Sequence, residues 1–327
     1  MLCVLGELVV DLIPDAAAGA GPEGTAPHFV ARPGGNALNV AVAAGRLGTR
    51  VALLARVGRG PLAPHLRRHA ELSGVDVSGM VDAPEPVSLA VVGLGPDGSA
   101  DYGFHVVGAA DWQWTAEEIA SVWPADTQVL HVGSISSWTA PGCEAIAEVA
   151  ERLHTSGAAL VSVDPNIRPM LAEGFGNTAE DVRRRLDRLV ASADVVKVSA
   201  EDVAWLEPGA DLDELATAWA DRGPALVLVT DGGDPLRVAR PGRPLLTVPM
   251  RTVQVVDTVG AGDSLAAGLL TGLIEAGVTS RTALESIDDD TLHRVLDDAV
   301  LVAALNCTRV GADPPTRAEL EQARTAG

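Results

Sequence analysis

A carboxylate placed in the first turn of a helix, just after a run of small residues, can serve both a proton and a phosphate. This chain carries such a stretch at Asp257-Thr258-Val259-Gly260-Ala261-Gly262-Asp263-Ser264. Downstream, apolar residues fall at 265, 269 and 273 and at 266, 270 and 274, the spacing of one buried helical face, with Gly277 placed to end it. The spacing predicts a helix from about Gly262. Its first amides have no intrahelical partner, the small residues let a ligand reach the backbone, and the aligned dipoles add roughly half a positive charge at that end. A phosphate or a developing oxyanion would be stabilised there. A lone Gly-x-Gly-Asp would be explained by helix capping. Beside a site shaped for anions, however, Asp263 would repel a phosphate unless it handles the proton of the group being phosphorylated, so the combination points to phosphoryl transfer.

Other glycine-rich loops fit poorly. The dinucleotide fingerprint needs a third glycine where Leu265 stands. A P-loop needs Gly-Lys-Ser/Thr, whereas the only lysine, Lys197, follows Val196. The strand lysine and His-Arg-Asp loop of a protein kinase are also missing.

Further candidates recur along the chain. Asp11 ends the apolar run Leu2 to Val10 and either starts a turn or binds substrate hydroxyls. Arg32-Pro33-Gly34-Gly35-Asn36-Ala37-Leu38-Asn39 opens a helix that stops at Gly48, with Asn36 and Asn39 one turn apart and suited to a polyol. Capping explains one of these asparagines more readily than both. Polar clusters follow later strands: Ser134, then Asp164-Pro165-Asn166-Ile167-Arg168, then Lys197-Val198-Ser199-Ala200-Glu201-Asp202, then Thr230-Asp231-Gly232-Gly233. Each alone reads as turn chemistry; together, at one end of a sheet, they suggest a single cleft.

The elements that must position these residues alternate between strand and helix. Leu2 to Val10 reads as a strand buried in a parallel sheet, Arg50 to Val57 as a second strand and Leu62 to Leu72 as a helix. From Gln128 the pattern is strand 128–133, helix 141–155, strand 158–163, helix 179–191, strand 194–198, helices 200–206 and 211–221, and strand 225–230. This predicts a mainly parallel sheet covered on both faces. Val87 to Leu94 and Asp101 to Val107, around Gly95-Pro96-Asp97-Gly98, form a hairpin that interrupts the alternation. It should leave the main layer and pair with residues 11 to 33 as a lid. Residues 14 to 27 read as a loop, Thr115 as the cap of a helix through Val122, Pro235 to Pro249 as another hairpin, and 289 to 306 as the last helix.

At 327 residues the length suits one large domain with an appendage as well as two domains. With a net charge of -20 and no cluster of arginines among aromatics, nucleic acid is not an expected partner. No apolar run is long enough for a membrane span, and Glu7 and Asp11 break the N-terminal one. The three cysteines, Cys3, Cys143 and Cys307, match no metal spacing and read as reduced thiols of a cytoplasmic protein.

The stretch 257–263 and the segment Gly34-Gly35-Asn36-Ala37-Leu38-Asn39 resemble the two signatures of the ribokinase-like (PfkB) carbohydrate kinases, and the similarity runs the length of the chain. The resemblance implies a three-layer αβα Rossmann-like fold with a mainly parallel central sheet and a small β-sheet lid. Residues 1–327 would be a single kinase domain with the lid formed by about 11–33 and 86–110. Asp263 would be the catalytic base, the amides of Gly260, Ala261 and Gly262 the anion hole, and Arg168 a group approaching the transferred phosphate. Asp11, Gly34, Gly35, Asn36 and Asn39 would hold the sugar, and Lys197, Ser199, Thr230 and Gly232, with Gly260 and Gly262, the nucleotide. ATP and Mg2+ are the implied cofactors, with Asp202 as a metal ligand and a potassium or other monovalent-cation site beside Asp257 and the loop near Gly311. A homodimer through the lid is the expected assembly.

Two departures stand out. Ser199-Ala200-Glu201-Asp202 replaces the Asn-x-x-Glu linked to magnesium and phosphate handling, and Pro235 replaces the last glycine of Thr-x-Gly-x-x-Gly. Tyr102 to Thr115, His131-Val132-Gly133-Ser134, Asp164 to Pro169 and Arg309 to Pro315 resemble bacterial fructokinase-like members. The expected reaction is ATP-dependent phosphorylation of a sugar hydroxymethyl group, fructose first. The alternatives are 2-keto-3-deoxygluconate, another sugar acid or a nucleoside as acceptor, or a non-catalytic sugar- or nucleotide-binding regulator, against which the intact Asp263 argues. Ten aromatic residues offer few stacking platforms for a base.

Overall fold

The computed structural model describes residues 1–15, 28–94 and 100–326. From residue 16 on, the expected loop to Pro27 lies outside the described residues, as does the turn Gly95-Pro96-Asp97-Gly98. The strands are β1 (Leu2–Leu5), β2 (Val9–Pro14), β3 (Phe29–Gly34), β4 (Val51–Arg59), β5 (Met80–Pro86), β6 (Ser88–Leu94), β7 (Ala100–His105), β8 (Val129–Gly133), β9 (Leu160–Asp164), β10 (Val195–Ser199), β11 (Leu226–Thr230), β12 (Leu236–Ala239) and β13 (Leu246–Val248). The helices are α1 (Asn36–Arg46), α2 (Ala63–Leu72), α3 (Ala116–Val122), α4 (Ser134–Trp138), α5 (Gly142–Ser156), α6 (Pro169–Gly174), α7 (Ala179–Ala191), α8 (Ala200–Leu206), α9 (Leu212–Asp221), α10 (Ala261–Glu275), α11 (Arg281–Glu285), α12 (Asp289–Cys307) and α13 (Arg317–Ala326).

Nine strands form the main sheet in the order β13-β12-β11-β10-β9-β8-β1-β4-β5. Pairing is parallel from β11 through β5, and only β12 and β13 run antiparallel. Strand alternation divides the core in two: Leu2 and Val4 of β1 face a layer that includes α1, α10 and α12, whereas Cys3 and Leu5 face one that includes α5, α7 and α9. A strand covered on both faces must be apolar at every position, as these are. The expected three-layer αβα architecture with a mainly parallel sheet is therefore observed. Cys3 and Cys143 are buried and Cys307 partly so, all three as free thiols.

A separate four-stranded sheet has the order β3-β2-β6-β7. Its β6 and β7 are the antiparallel hairpin expected from the sequence, and β6 pairs parallel with β2. The apolar run Leu2 to Val10, expected as one strand of the parallel sheet, is instead two strands in two sheets. The chain leaves the main sheet at Gly6-Glu7, where a Cβ on Gly6 would lie 2.7 Å from that of Ala37. Asp11 consequently sits on the small sheet, not at the carboxyl end of a main-sheet strand.

The remaining differences have local causes. β5 was not expected because its two prolines weaken a strand signal, and it is an edge strand, where proline is tolerated. The helices α4, α6 and α11 are too short to show a period. Helix α12 is followed by α13, which is charged and places only Leu320 in the core, so it is not the last helix. No helix among the described residues is long and apolar enough to cross a membrane.

The link from β5 to β6, which joins the two sheets, is packed against β4. A Cβ on Gly58 would lie 2.6 Å from the Val87 amide nitrogen and overlap the Pro86 carbonyl. Gly58→Ala should therefore cost about 1–3 kcal/mol of stability in urea unfolding. Gly174→Ala, where nothing lies within 4 Å, should be neutral or slightly stabilising.

Candidate active site

The first turn of α10 begins at Gly260, whose φ of 75° suits glycine and whose Cβ, if present, would lie 2.6 Å from that of Ala312. Ala261 donates its amide to Thr258 O at 3.1 Å. The amides of Gly260 and Gly262 have no acceptor among the described residues. Asp263 does not cap this helix. Its Oδ1 accepts from Asn36 Nδ2 and its Oδ2 from Asn39 Nδ2, each at 2.7 Å. The asparagines are not caps either, because Gly35 occupies the N-cap of α1 without a side-chain bond. Capping, the plain alternative for all three residues, thus gives way to a direct contact between the two signature segments.

Beneath Asp263 lies the single lysine. Lys197 Nζ donates to Asp164 Oδ2 at 3.0 Å, and a Cβ on Gly262 would come within 2.8 Å of that nitrogen. Burial alone would lower the lysine pKa, but the carboxylates of Asp164, Asp202 and Asp263 outweigh it and hold the ammonium above its ordinary value. Burial raises the Asp263 pKa, and the Asp164 carboxylate adds to this; the Asn39 bond and the charges of Lys197 and Arg168 oppose it. Burial on β8, with the Lys197 charge adding to it, pushes the His131 pKa down to about 3.

At the candidate sugar contacts, a Cβ on Gly34 would overlap the Asp11 carboxylate. Burial pushes the Asp11 pKa up to about 6 against the pull of Arg168. Arg168 is exposed, makes no ion pair among the described residues, and acts electrostatically on both Asp11 and Asp263. Gly35 has a φ of 103°, and its Cβ would lie 2.8 Å from Glu7 O, so backbone is packed on backbone there. Asn36 Oδ1 is buried without a partner, which leaves an acceptor for a hydroxyl. Ser134 and Asn166, at the ends of β8 and β9, both have positive φ and contact each other through Asn166 Nδ2 and Ser134 Oγ at 3.5 Å.

The nucleotide-side candidates lie further along the same edge, where Ser199 is in register with Thr230. Thr230 Oγ1 reaches back to Val198 O at 3.5 Å, and Gly232 has a φ of 52°. Asp202 belongs to the capping box of α8: its Oδ2 accepts from the Ser199 amide and hydroxyl, while its Oδ1 accepts from the Ile167 amide at 2.6 Å. Asp257 accepts from the amides of Val259 and Gly311 at 3.0 and 2.8 Å, pinning the loop before α10 to the loop after α12. Val255, Val256, Val259 and Val310 are exposed on these two loops.

The profile of the pfkB family of carbohydrate kinases matches residues 1–319. The chain belongs to that family. Over 282 residues it is 36% identical to a fructokinase of Klebsiella pneumoniae, with 86% of each chain covered. A fructokinase structure from Xylella fastidiosa with bound ATP superposes with a TM-score of 0.87 at 28% identity, covering 99% of this chain and 98% of that one. A double-mutant fructokinase from Vibrio cholerae O395, with fructose, ADP and a potassium ion bound, gives 0.81 at 29% identity over 98% and 97% of the chains.

This pfkB kinase is thus a phosphotransferase acting on a sugar hydroxyl. Around Asp263 its fold gathers Asn36, Asn39, Asp164, Lys197, Gly260 and Gly262, with Arg168 within electrostatic reach of both Asp263 and Asp11. Thr230, Gly232 and Asp257 stand apart, with no side-chain contact to that cluster among the described residues. Asp164, the group that holds Lys197, is marked in the sequence only by its place at a strand end.

Removing the lysine would leave Asp164, Asp202 and Asp263 uncompensated. Lys197→Met should destabilise the kinase by about 3–5 kcal/mol, the cost of breaking a buried pair. Because Asp202 and Asp263 have raised pKa values, they can take up protons as pH falls, so the deficit in urea unfolding should shrink from pH 8 to pH 5. A loss below about 1 kcal/mol at pH 8 would mean that the ion cluster does not hold the site together.

Proposed function

We propose that this kinase transfers the γ-phosphoryl group of ATP to a hydroxymethyl group of a small sugar, fructose first, with Asp263 as the base. The observation that carries the proposal is the Asp263 carboxylate gripped by Asn36 and Asn39 at 2.7 Å beside the uncommitted amides of Gly260 and Gly262. The fructokinase relative in Klebsiella, and the ATP and fructose in the Xylella and Vibrio structures, support the same substrates here.

In such a transfer the transition state is loose and the nucleophile loses its proton late. Asp263 orients the sugar hydroxyl and accepts that proton, and its raised pKa favours proton uptake. The Gly260 and Gly262 amides stabilise charge on the phosphoryl oxygens, with Lys197 below and Arg168 alongside. Asp11, the backbone of Gly34 and Gly35, Asn36 Oδ1 and Asn39 bind the sugar hydroxyls. Thr230, Gly232 and Ser199 flank the nucleotide, and the exposed valines of the 255–259 and 310 loops offer its base an apolar bed. The small sheet acts as a lid that excludes water, and its exposed edge residues Phe29 and Val30 suit a second copy of the chain.

The donor set fits Mg2+ arriving with ATP, because such an ion keeps several waters and needs one or two carboxylates. Asp164 Oδ1, buried without a hydrogen-bond partner, is better placed to serve than Asp202, whose oxygens are engaged in the α8 cap. The ion would neutralise charge on the β- and γ-phosphates. The carbonyls of the two loops that Asp257 pins would suit a potassium ion, with the Asp257 charge beside them although both its oxygens already accept amides.

One observation favours a sugar acid such as 2-keto-3-deoxygluconate: the exposed Arg168 guanidinium, without an ion pair among the described residues, could hold a carboxylate. ADP formation measured with fructose, 2-keto-3-deoxygluconate and adenosine decides, and a clear preference in kcat/KM for either of the latter would displace fructose. Asp263→Asn keeps the volume but gives up one of the two asparagine bonds and cannot accept the proton, so kcat should fall about 10²- to 10⁴-fold while ATP still binds. Near-normal turnover in the folded variant would remove Asp263 as the base.

The pH profile provides a further check. Both Asp263 and Asp11 work as carboxylates and both have raised pKa values, so protons inactivate the enzyme as pH falls. The sugar kcat/KM should bend downward near pH 6, where Asp11 protonates. Asp11→Asn should lower kcat/KM throughout and lose that bend.

A further inference from the structure

We infer that Asp111 is a clasp that sets the seat of the small sheet over the sugar-binding side of the cleft, and so a positioning residue for the transfer. The described chain passes between the sheets at residues 6–8, at Gly34-Gly35, at Val87 and at residues 106–109. Asp111, in a 3-10 turn Ala110–Trp112, lies just past the last of these. Its Oδ1 accepts the Leu8 amide at 2.7 Å, and its Oδ2 accepts the Ser88 hydroxyl at 2.5 Å. One carboxylate therefore joins three of the crossings. Leu8, Ser88 and Asp111 are each at most 1% exposed.

The remaining crossing rests on the same link, because a Cβ on Gly35 would lie 2.8 Å from Glu7 O and 3.1 Å from Val9 N. On the main-sheet side, buried Arg56 of β4 donates Nε to Ala110 O and Nη2 to Glu85, each at 3.0 Å, and pairs with Glu118. Arg56 thus fixes the residue before Asp111 to the main sheet, and Asp111 fixes the small sheet to that point. Burial, with the Glu7 carboxylate adding to it, pushes the Asp111 pKa up to about 7 although two donors oppose the shift. A packed apolar residue would carry no such burden, and what the carboxyl group offers against it is the two bonds it makes.

Asp11 is on β2, three residues beyond Leu8, and Gly34 is on β3, its neighbour in the small sheet. The seat of that sheet fixes how far Asp11 stands from Asp263. Loosening the clasp should weaken sugar binding while sparing ATP, whose candidate contacts belong to the main sheet and α10. This expectation rests on the sugar-kinase reading above.

Ser88→Ala removes one arm without touching either binding site. The sugar KM should rise about 2- to 10-fold, the worth of one hydrogen bond, with the ATP KM changed less than about twofold. Asp111→Asn can keep both bonds, since Oδ1 still accepts from Leu8 and the Ser88 hydroxyl can accept from Nδ2, so it should stay within about twofold of the parent. Asp111→Ala should exceed Ser88→Ala; if it does not fold, Ser88→Ala decides. Without substrates, hydrogen exchange in Ser88→Ala should quicken at residues 9–14, 88–94 and 100–105 but not in β8 or β9. Unchanged exchange in the small sheet, an unchanged sugar KM, or an equal rise in the ATP KM would overturn the clasp. If the parent enzyme phosphorylates no sugar in the panel, the substrate reading fails, and the exchange data still decide the clasp.

Discussion

The site depends on one buried cation. Lys197, the only lysine in the chain, sits among Asp164, Asp202 and Asp263 at the carboxyl end of the main sheet. In an apolar surrounding an isolated lysine would give up its proton, and three carboxylates brought together would each resist ionising. Each sign stabilises the other. The same ammonium packs against the backbone of Gly262, so the ion cluster also seats the first turn of α10 on the sheet. Asp202 spreads this order outward by capping α8 and holding the amide of Ile167, the residue before Arg168.

Phosphoryl transfer within a chain of net charge -20 calls for local positive potential, because the long-range field disfavours a polyanionic nucleotide. At physiological salt that field is screened beyond about 8 Å, so nearby groups decide. In the proposed site, the amides of Gly260 and Gly262, the α10 dipole, Lys197 and Arg168 would provide that potential. Ser134 and Asn166 line the neighbouring strand ends with φ values of 53° and 37°. Such conformations cost on the order of 1–3 kcal/mol each and gather where geometry is imposed by function. Their hydrogen bond to each other helps to hold them.

The two sheets contribute differently. The main sheet is covered on both faces and presents its strand ends in a fixed register, with Gly133 beside Asp164 and Ser199 beside Thr230. The small sheet lacks that double cover, as the exposed β3 shows, and is joined to the main one by narrow links packed backbone to backbone. The proposed sugar-side residues are therefore shared between the two sheets, Asp11 and Gly34 lying on the small one, whereas the first turn of α10 packs against the main sheet at Lys197.

Local sequence patterns were enough to indicate the layered fold and a kinase acting on a sugar hydroxyl. Gly260-Ala261-Gly262-Asp263 marks a helix start of small residues with a carboxylate because small residues and helical periodicity are local properties, and the strand-helix alternation implies a covered parallel sheet for the same reason. Which groups meet is settled by the packing of distant segments. Asn36 and Asn39 lie more than two hundred residues before Asp263, and neither could be told from a capping residue until the carboxylate was found between them. The split of Leu2 to Val10 between two sheets was hidden because a buried strand and a sheet-crossing segment are equally apolar. Asp202 looked free to bind metal, yet its oxygens are engaged by Ser199 and Ile167. Asp111 carried no signal, since a buried carboxylate is recognised by the amide and hydroxyl that reach it, and Leu8 and Ser88 come from distant parts of the chain. Burial and long-range pairing set these roles, and both arise from packing rather than from neighbours in the chain.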